Sequence, residues 1–364
     1  MKQICDVLIV GAGPAGLCAA SIFANTDVQV IVLERDPFLG GQLLKQTHMF
    51  FGSKEQYAGT RGFEIGTLLK EPILQAKNIR IFTNTVAAGF YPEDGFLLAI
   101  ENDQELHRIY FKKILLATGA SEKALSFENN DLPGIFGAGA VQTLMNMYGV
   151  APGKEVIMVG SGNIGLIVSY QLMQAGISVK CIVEAAPVIG GYFVHAAKVR
   201  RLQIPIYTQT TVRKAFGTES LEGVELISLD AHWQEIAGSE RYETCDTLCL
   251  AVGLSPLSEL LSHFQCETQY VPELGGSVAL RNQRMQCTHK DVFIAGDVAG
   301  IEEASSAMLE GMIAGVSIAE DLGIATPSHK SIKEESTQFL QAMRSGPIGD
   351  KIRSGLRKVE DSHV

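Results

Sequence analysis

The stretch VLIVGAGPAGLCAASIFANTDVQVIVLERDPFLGG, residues 7–41, decides the fold of this chain. Its apolar, β-branched start runs into Gly11, Gly13 and Gly16 in the pattern G-x-G-x-x-G, and an apolar helix pattern follows. A second β-branched segment then ends in an acid, Glu34, 18 residues after the third glycine. This order of strand, glycine turn, helix, strand and acid is typical of a βαβ unit that binds a dinucleotide.

A second stretch, VIMVGSGNIGLIVSYQLMQAGISVKCIVEAAPVIGG, residues 156–191, repeats the first. It carries the same pattern at Gly160, Gly162 and Gly165, and its acid, Glu184, falls 19 residues after the third glycine. Both copies continue with a proline and a Gly-Gly pair. One isolated glycine pattern is weak evidence, but two complete copies in one chain predict two dinucleotide-binding units.

Each glycine of such a loop has its own physical role. The first permits a tight turn, the second lets the backbone approach a pyrophosphate, and the third lets the helix pack on the strand. The helix N-terminus then offers free N–H groups and the positive end of its dipole to the phosphates. We expect Glu34 and Glu184 to accept hydrogen bonds from ribose hydroxyls. One alternative stays open, namely that one of the two copies is a scaffold that has lost its ligand.

The residues after Glu184 indicate whether the second copy could accept a dinucleotide that carries a ribose 2′-phosphate. Ala185, Ala186 and Pro187 follow the acid, and no arginine stands where a ribose 2′-phosphate would need a cation. The second copy is therefore predicted to bind NAD rather than NADP, although a site for another adenine nucleotide would look similar.

Composition excludes several other classes of protein. The 364 residues suggest two domains, and 46% hydrophobic with 19% charged residues exclude a disordered chain. A net charge of −10 argues against nucleic-acid binding. Each of the two repeated stretches begins with a long apolar run, and its loop glycines interrupt that run. We therefore expect neither an export signal nor a membrane span. Seven cysteines without framework spacing indicate a reducing compartment, and the cytoplasm is the expected location.

Three further motifs extend the pattern: GGQLLKQT at 40–47, ILLATGA at 114–120 and VFIAGDVAG at 292–300. With the two glycine loops they resemble the two-dinucleotide-binding-domain flavoproteins, the thioredoxin and glutathione reductase superfamily, up to about Thr326. The resemblance implies an α/β fold with two Rossmann-like domains, in which an NAD-binding domain is inserted in a split FAD-binding domain. The implied bounds are 1–120 and 255–327 for the FAD domain, 121–254 for the NAD domain and 328–364 for a helical C-terminal tail.

The same resemblance implies the residues of both sites. Those expected to bind FAD are Gly11, Gly13, Pro14, Ala15, Gly16, Glu34, Arg35, Gly41, Gln42, Thr47, Ala117, Thr118, Gly119, Gly296, Asp297 and Ala304. Those expected to bind NAD are Gly160, Gly162, Asn163, Ile164, Gly165 and Glu184. Asp297 matches the aspartate that binds the flavin ribitol, and the helix after it is expected to begin near Glu302 and to point at the pyrimidine edge of the flavin. Gly311 and Gly315 in that helix are predicted to mark close backbone packing.

The chain departs from the disulfide reductases in one respect. Neither nucleotide-binding copy carries a C-x-x-C or C-x4-C pair, so disulfide reduction by this chain alone is disfavoured. No catalytic residue is assigned, and no metal site is expected. Cys245 and Cys249 lie in an apolar segment and are predicted to be packing residues.

Four segments resemble one branch of the superfamily more closely, the sarcosine oxidase alpha-like flavoprotein subunits, which include hydrogen cyanide synthase B, opine oxidase and dye-linked proline dehydrogenase subunits. These segments are GGQLLKQTHMFFGSKEQYAGTRG, GNIGLIVSYQLMQAGISV, EAAPVIGGYFVHAAKVRR and RSGPIGDKIRSG. The resemblance implies an FAD-dependent, NAD(H)-linked oxidoreductase that transfers electrons within a dehydrogenase or oxidase complex acting on an amino acid, a hydroxy acid or a polyol phosphate. The implied partners are a small iron–sulfur subunit, where a cluster is required, and a second dehydrogenase flavoprotein subunit.

Two other functions stay open at this point. One is a stand-alone NADH-dependent flavin reductase that uses quinone, oxygen, ferredoxin or a partner disulfide protein. The other is a non-enzymatic nucleotide-binding scaffold. The tail also allows two interpretations, since its apolar residues at helical spacing could pack on the chain's own FAD domain or dock a partner.

Overall fold

The chain forms two compact units in a computed structural model that describes residues 1–50 and 54–360. The first unit consists of Met1–Ser121 together with the chain from Ser255 onward, and the second is Glu122–Leu254. The second unit is therefore inserted in the sequence of the first. Residues 361–364, the end of the predicted tail, lie outside the described residues.

The strands of the described residues are short, and each contains three to seven residues. In chain order they are β1 (Lys2–Ile4), β2 (Val7–Val10), β3 (Val30–Leu33), β4 (Ile79–Phe82), β5 (Thr85–Tyr91), β6 (Phe96–Glu101), β7 (Glu105–Tyr110), β8 (Lys113–Leu116), β9 (Ala120–Glu122), β10 (Ile135–Gly137), β11 (Glu155–Val159), β12 (Ser178–Glu184), β13 (Ile206–Thr208), β14 (Thr210–Phe216), β15 (Gly223–Ser228), β16 (Arg241–Thr244), β17 (Thr247–Leu250), β18 (Leu254–Pro256), β19 (Thr268–Val271), β20 (Gly276–Ala279) and β21 (Val292–Ile294).

The helices follow the strands of each unit and, in the tail, follow one another. In chain order they are α1 (Pro14–Ile22), α2 (Gly62–Gln75), α3 (Ala138–Tyr148), α4 (Asn163–Gln174), α5 (Phe193–Arg201), α6 (Glu259–His263), α7 (Ala304–Asp321), α8 (Pro327–Met343) and α9 (Asp350–Glu360).

A parallel five-stranded sheet in the order β21-β8-β2-β3-β4 organises the first unit. The central strand β2 pairs with β3 on one side, Val7 opposite Val30, and with β8 on the other, Val7 opposite Lys113. All four residues of β2 are buried, as expected for a central strand of a parallel sheet that is covered on both faces. The carboxyl ends of these strands carry the first glycine loop and the segments after β3, β8 and β21.

The second unit has a parallel five-stranded sheet in the order β10-β17-β11-β12-β13. Strands β11 and β12 occupy the positions that β2 and β3 have in the first unit, and β17 occupies that of β8. The outermost strand differs in origin, because β10 comes first in its unit whereas β21 comes last. Two parallel sheets with flanking helices confirm the predicted α/β class with two Rossmann-like domains.

Smaller sheets, mostly antiparallel, complete the units. The first unit has the sheet β1-β7-β6-β5, in which β1 runs parallel to β7, and the hairpin β19-β20. The second unit has β14-β15-β16. Cys245 and Cys249 are buried in and beside β17, in agreement with their predicted packing role.

The tail forms two helices that pack on the first unit. Thr326 caps α8, its side chain accepting from the amide of His329, and Pro327 occupies the first turn. Leu340 of α8 joins the main apolar core of the unit, and Leu356 of α9 packs in a cluster with Val271. Of the two interpretations of the tail, the structure supports packing on the chain's own unit.

Candidate functional site

Two glycines of the first loop are required by the packing of the loop itself. Gly11 has a φ of 104°, and a Cβ atom on it would lie 2.2 Å from the carbonyl oxygen of Ala117. A Cβ on Gly16 would lie 1.9 Å from the carbonyl oxygen of Gly11. Any larger residue at either position would displace backbone, so the turn after β2 and the approach of α1 both need glycine.

Gly13 is not explained in this way. Its backbone is extended, with φ −76° and ψ −173°, which any residue can adopt. The nearest heavy atom to a Cβ on Gly13 would be the Cα of Gly41 at 4.0 Å. Space is therefore left open beside the first turn of α1, which is where a pyrophosphate would need to approach the backbone. The loop fits the FAD that the sequence predicts.

The start of α1 suits an anion. Gly13 is the N-cap and Pro14 occupies the first helical position. Among the described residues no side chain caps this terminus, so its amides remain available to a ligand.

Glu34 closes the first loop from the end of β3. Its Oε2 accepts from the amide of Ala12 at 2.9 Å, and its Oε1 accepts from the amide of Asp36 at 3.0 Å. Burial raises the pKa of Glu34, and these two backbone hydrogen bonds work against that rise. Each carboxylate oxygen keeps a second lone pair, so ribose hydroxyls could donate to the same group.

The second loop repeats this geometry in the second unit. A Cβ on Gly160, whose φ is 101°, would lie 2.3 Å from the carbonyl oxygen of Ala251, and one on Gly165 would lie 2.1 Å from that of Gly160. Gly162 has φ −66° and ψ 176°. Among the described atoms, none lies within 4 Å of the place of its Cβ. The middle glycine again faces open space, and the protein's own packing does not require glycine at this position.

Glu184 takes the place of Glu34 but has one more donor. Its Oε2 accepts from both the amide (2.9 Å) and the hydroxyl (2.7 Å) of Ser161, and its Oε1 accepts from the amide of Ala186 at 2.9 Å. A negative group is thus fixed at the end of β12, where the ribose of a dinucleotide would lie.

The Gly-Gly pairs belong to the same repeat. The amide of Gly40 donates to the carbonyl of Ala12, and that of Gly191 donates to the carbonyl of Ser161, each at 2.8 Å. In the second unit the Oδ1 of Asn163 also accepts from the amide of Tyr192 at 2.8 Å. Each pair therefore holds its glycine loop from the side of the following segment.

The other residues predicted for the first site lie in several segments of the first unit. Thr118, after β8, donates from its hydroxyl to the carbonyl of Leu257 at 2.8 Å. Gln42 is exposed in a 3-10 helix at Gly41–Lys45, and Arg35 is exposed after β3. The carbonyl of Thr47 accepts from Nη1 of Arg61 at 3.0 Å.

Gly296 and Asp297 follow β21 beside the first loop. A Cβ on Gly296, whose φ is 77°, would lie 3.0 Å from the Cβ of Ala15 in α1. Burial, with repulsion from Glu310 in the next helix and from Glu303 and Glu302 just before it, raises the pKa of Asp297 to about 7. A half-buried carboxylate at this edge could accept from a ribitol hydroxyl, the role predicted for it.

The sequence prediction missed a buried ion-pair cluster next to Asp297. Glu310 in α7 accepts from the amide of Gly296 at 2.9 Å, and Arg344, after α8, contacts both Glu310 and Glu302. One sequence signal could have pointed to it, since Glu310 is the one charge in the apolar stretch 304–319. The helix begins at Ala304 with Glu303 as N-cap, two residues later than the predicted start near Glu302.

The cysteines of the chain are all buried. Burial raises the pKa of Cys5, Cys18 and Cys245 to about 12, so these thiols are protonated and weak nucleophiles at neutral pH. Within the described residues, Glu101, Glu105 and His107 form a group whose possible metal-ligand atoms lie within 4.8 Å of one another. Nε2 of His107 contacts Oε2 of Glu101 at 2.8 Å, which accounts for the pair without an ion.

Two glycine loops on two Rossmann-like units, each closed by a buried or half-buried glutamate, are an arrangement typical of proteins that bind dinucleotides. A family model described as pyridine nucleotide-disulphide oxidoreductase matches residues 5–311, and the chain belongs to this family. It is therefore an oxidoreductase and a flavoprotein, and membership implies sites for FAD and a pyridine nucleotide.

Several curated proteins are similar to the chain over nearly its whole length. The alpha subunit of sarcosine oxidase from Rhizobium meliloti is 27% identical over 93% of this chain, which spans only 33% of that protein. One subunit of opine oxidase from Agrobacterium tumefaciens is 22% identical over 97% of the chain and 73% of its own length. The HcnB subunit of hydrogen cyanide synthase from Pseudomonas aeruginosa is 25% identical over 97% and 80%. The resemblance predicted from the sequence is confirmed.

Solved structures show the same fold. L-proline dehydrogenase from P. horikoshii superimposes with a TM-score of 0.69 and 23% identity over 92% of this chain and 59% of its own. Thioredoxin reductase of T. acidophilum gives a TM-score of 0.71 and 22% identity over 88% and 99%. Among the helices of residues 1–50 and 54–360, none is both long and apolar enough to cross a bilayer.

Proposed function

We propose that this chain holds FAD in the first unit and NAD(H) in the second, and that it transfers electrons as the flavoprotein subunit of a dehydrogenase or oxidase complex. The complex would oxidise an amino acid, a hydroxy acid or a polyol phosphate. A second flavoprotein subunit, a dehydrogenase, would catalyse the oxidation of that substrate. FAD, when bound, accepts and releases the electron pair that such a transfer requires.

The observation that carries the proposal is the pair of middle glycines. Gly13 and Gly162 both have backbone angles open to any residue and free space at the place of a Cβ. The other four glycines of the two loops are required by contacts with backbone. A ligand that approaches the loop is the physical reason left for the middle ones.

The chain's own residues would act on the cofactors by holding and orienting them. The free amides at the start of α1 would bind phosphate oxygens, Glu34 would accept from a ribose, and Asp297 would accept from the ribitol. In the second unit, Gly162 begins α4 in the same way. Glu184 would accept from the adenosine ribose and repel a 2′-phosphate, which supports NAD over NADP.

The partner part of the proposal draws on two facts. The chain carries no C-x-x-C pair that could pass electrons to a disulfide, and the cysteines it has are buried. Three similar proteins are named as subunits of larger oxidases or synthases. Without a dithiol of its own, the chain would need a partner protein to exchange electrons with the bound flavin.

Matched glycine variants test the two sites separately. Gly13→Val should abolish flavin binding while NADH still binds to the cofactor-free protein, because the branched side chain fills the pyrophosphate approach in the first unit only. Gly162→Val should do the reverse, so each variant is the control for the other. Bound flavin is measured by absorbance after desalting and NADH by fluorescence titration. Full flavin content in Gly13→Val would refute the assignment of the first site.

Co-purification tests the partner. Mass spectrometry of the protein isolated from its native source should show a second dehydrogenase polypeptide in stoichiometric amount. Steady NADH oxidation by the single purified chain with quinone, oxygen, ferredoxin or a disulfide protein, at a rate that no other polypeptide raises, would instead establish a stand-alone reductase.

A further inference from the structure

Arg344 of the tail joins two carboxylates that belong to another helix. Its Nη2 lies 2.5 Å from Oε1 of Glu302 and 2.6 Å from Oε1 of Glu310, and its Nε lies 3.1 Å from both oxygens of Glu302. Arg344 directly follows α8, whereas Glu302 precedes α7 and Glu310 lies within it. A bidentate contact of this kind fixes direction as well as distance.

Both carboxylates adjoin the segment predicted to bind the flavin. The second oxygen of Glu310 accepts from the amide of Gly296 at 2.9 Å in a buried hydrogen bond. Gly296 directly precedes Asp297, and Glu302 lies two residues before the first residue of α7. Arg344 therefore reaches both ends of the segment 296–303, one end directly and the other through Glu310.

The cluster is buried, and removing its arginine would be costly. The side chains of Glu310 and Arg344 are 3% and 12% exposed. Arg281 also lies in the cluster, its Nη2 4.0 Å from Oε1 of Glu310. Within the described part of the chain, its Nε and Nη1 have no hydrogen-bond partner. Arg281 balances the negative charge of Glu302 and Glu310 only in part. Loss of Arg344 would therefore leave two neighbouring carboxylates buried without the cation that contacts both, which is energetically unfavourable.

We propose that Arg344 is a positioning residue for the first dinucleotide site, which couples the docking of the tail helix α8 to the geometry of residues 296–303 and thereby to FAD affinity. The inference rests on the proposed function, since it takes FAD as the ligand of that site. Arg344 lies beyond the residues 5–311 that the family model matches. The coupling thus needs the tail, whereas the residues that Arg344 contacts, Glu302 and Glu310, lie within the matched region.

The competing explanation is that Arg344 only attaches α8 to α7. The chain offers a matched control for that explanation. Lys333 on α8 contacts Glu320 on α7 at 2.7 Å, and its side chain is 19% exposed. This ion pair joins the same two helices, but Glu320 lies near the far end of α7, away from Gly296 and Glu302.

Titration of cofactor-free protein with FAD separates the two explanations. Arg344→Met should weaken FAD binding about tenfold, a usual size for coupling between sites. Arg344→Lys, which keeps the charge but loses the bidentate contact, should fall between Arg344→Met and the parent. Lys333→Met should bind FAD like the parent, even where its unfolding midpoint is lowered. Equal FAD affinity in Arg344→Met and the parent, or an equal loss in Lys333→Met, would overturn the inference.

Hydrogen exchange on the parent protein provides a test that needs no variant. Because coupling is reciprocal, FAD should slow amide exchange in the last turn of α8 and at Gly296, as well as in the glycine loop. Protection confined to the glycine loop would overturn the coupling while leaving the proposed function intact. A parent protein that takes up no FAD would overturn both the coupling and the proposed function. The FAD titration of the parent protein distinguishes these two cases.

Discussion

Six loop glycines separate, residue by residue, into those that the protein needs for itself and those that it does not. Gly11 and Gly16 face backbone oxygens at 2.2 and 1.9 Å from the place of a Cβ, so replacing them would disturb the fold. Gly13 and Gly162 face open space. Substitution at these two positions is therefore expected to affect ligand binding before it affects stability, which is the reason that they make useful probes.

Selectivity between NADH and NADPH should depend on Glu184. Glu184→Ser removes the carboxylate and leaves the amides of Ser161 and Ala186 free to meet a phosphate. We expect NADH affinity to fall about tenfold or more, because a hydrogen bond to a charged group contributes about 1.5–3 kcal/mol, and NADPH affinity to rise. Fluorescence titration with both nucleotides measures the ratio.

The control for this substitution is Glu219→Ser, which removes an exposed carboxylate from the same unit. It should leave both affinities unchanged. An unaltered preference in Glu184→Ser would show that this glutamate does not select the nucleotide.

Asp297 should make the stability of the cofactor-free protein depend on pH. Its pKa is raised from an ordinary 3.8 to about 7 in the folded chain, so the folded state binds the proton more tightly than the unfolded state. Stability is therefore lost as pH rises from about 4 to about 7, by at most about 1.4 kcal/mol per pH unit. Asp297→Asn should remove this loss.

Denaturant unfolding of both proteins at pH 5 and pH 8 measures the effect. The free energy of unfolding of Asp297→Asn, relative to that of the parent, should rise by roughly 1–3 kcal/mol from pH 5 to pH 8, because the variant lacks the titrating carboxyl group. The same stability difference at both pH values would contradict the raised pKa.

Residue identity could be read from the sequence only where the pattern is local. Each set of loop glycines stands with its own glutamate, Glu34 or Glu184, within a single βαβ unit, and fixed spacing identifies them. The contact of Arg344 with Glu302 joins residues 42 positions apart. No sequence pattern indicates such a contact, because the two residues meet only when α8 packs on α7.

Among the elements, the crossing of α1 and α7 shows how glycine sets the distance between helices. A Cβ on Gly311 would lie 2.2 Å from the carbonyl oxygen of Ala15, and one on Gly315 would lie 3.0 Å from that of Ala19. The prediction that both mark close backbone packing is confirmed. This contact also holds α7 beside the first glycine loop.

Gly311→Ala should therefore destabilise the protein, against the usual preference of helices for alanine. Displacing packed backbone costs about 1–3 kcal/mol. Gly66 in the interior of α2 is the matched control, since the nearest atom to a Cβ there is the Cβ of Leu43 at 3.6 Å. Gly66→Ala should stabilise by about 0.5–1 kcal/mol.

Chemical denaturation of the two alanine variants and the parent compares these effects directly. Opposite signs are expected. Stabilisation by Gly311→Ala would contradict the close approach of α1 and α7.

Element boundaries were less predictable than element types. The helix after Asp297 begins at Ala304 rather than near Glu302, because the backbone of its N-cap, Glu303, is extended, with φ −78° and ψ 157°. Strand β10, at Ile135–Gly137, is three residues long and carries no clear pattern. It is recognised as the edge of a sheet only through its pairing with β17.

For the whole molecule, two repeated sequence stretches predicted the architecture because each is a complete βαβ unit with its own sheet position. The tail illustrates the limit of that reasoning. Its amphipathic pattern is compatible with packing on the chain's own FAD domain and with docking of a partner, and the structure shows Leu340 and Leu356 packed within the first unit. The chain spans 33% of the sarcosine oxidase protein it matches, so the activity of any larger assembly stays a proposal.

The most direct test of the two-nucleotide claim is a count of bound cofactors. Purified protein would be equilibrated with FAD and NAD, and the nucleotides retained per chain would be measured by equilibrium dialysis and absorbance. We predict one FAD and one NAD per chain, with only the FAD lost in Gly13→Val. A colourless protein that retains neither nucleotide would contradict the claim.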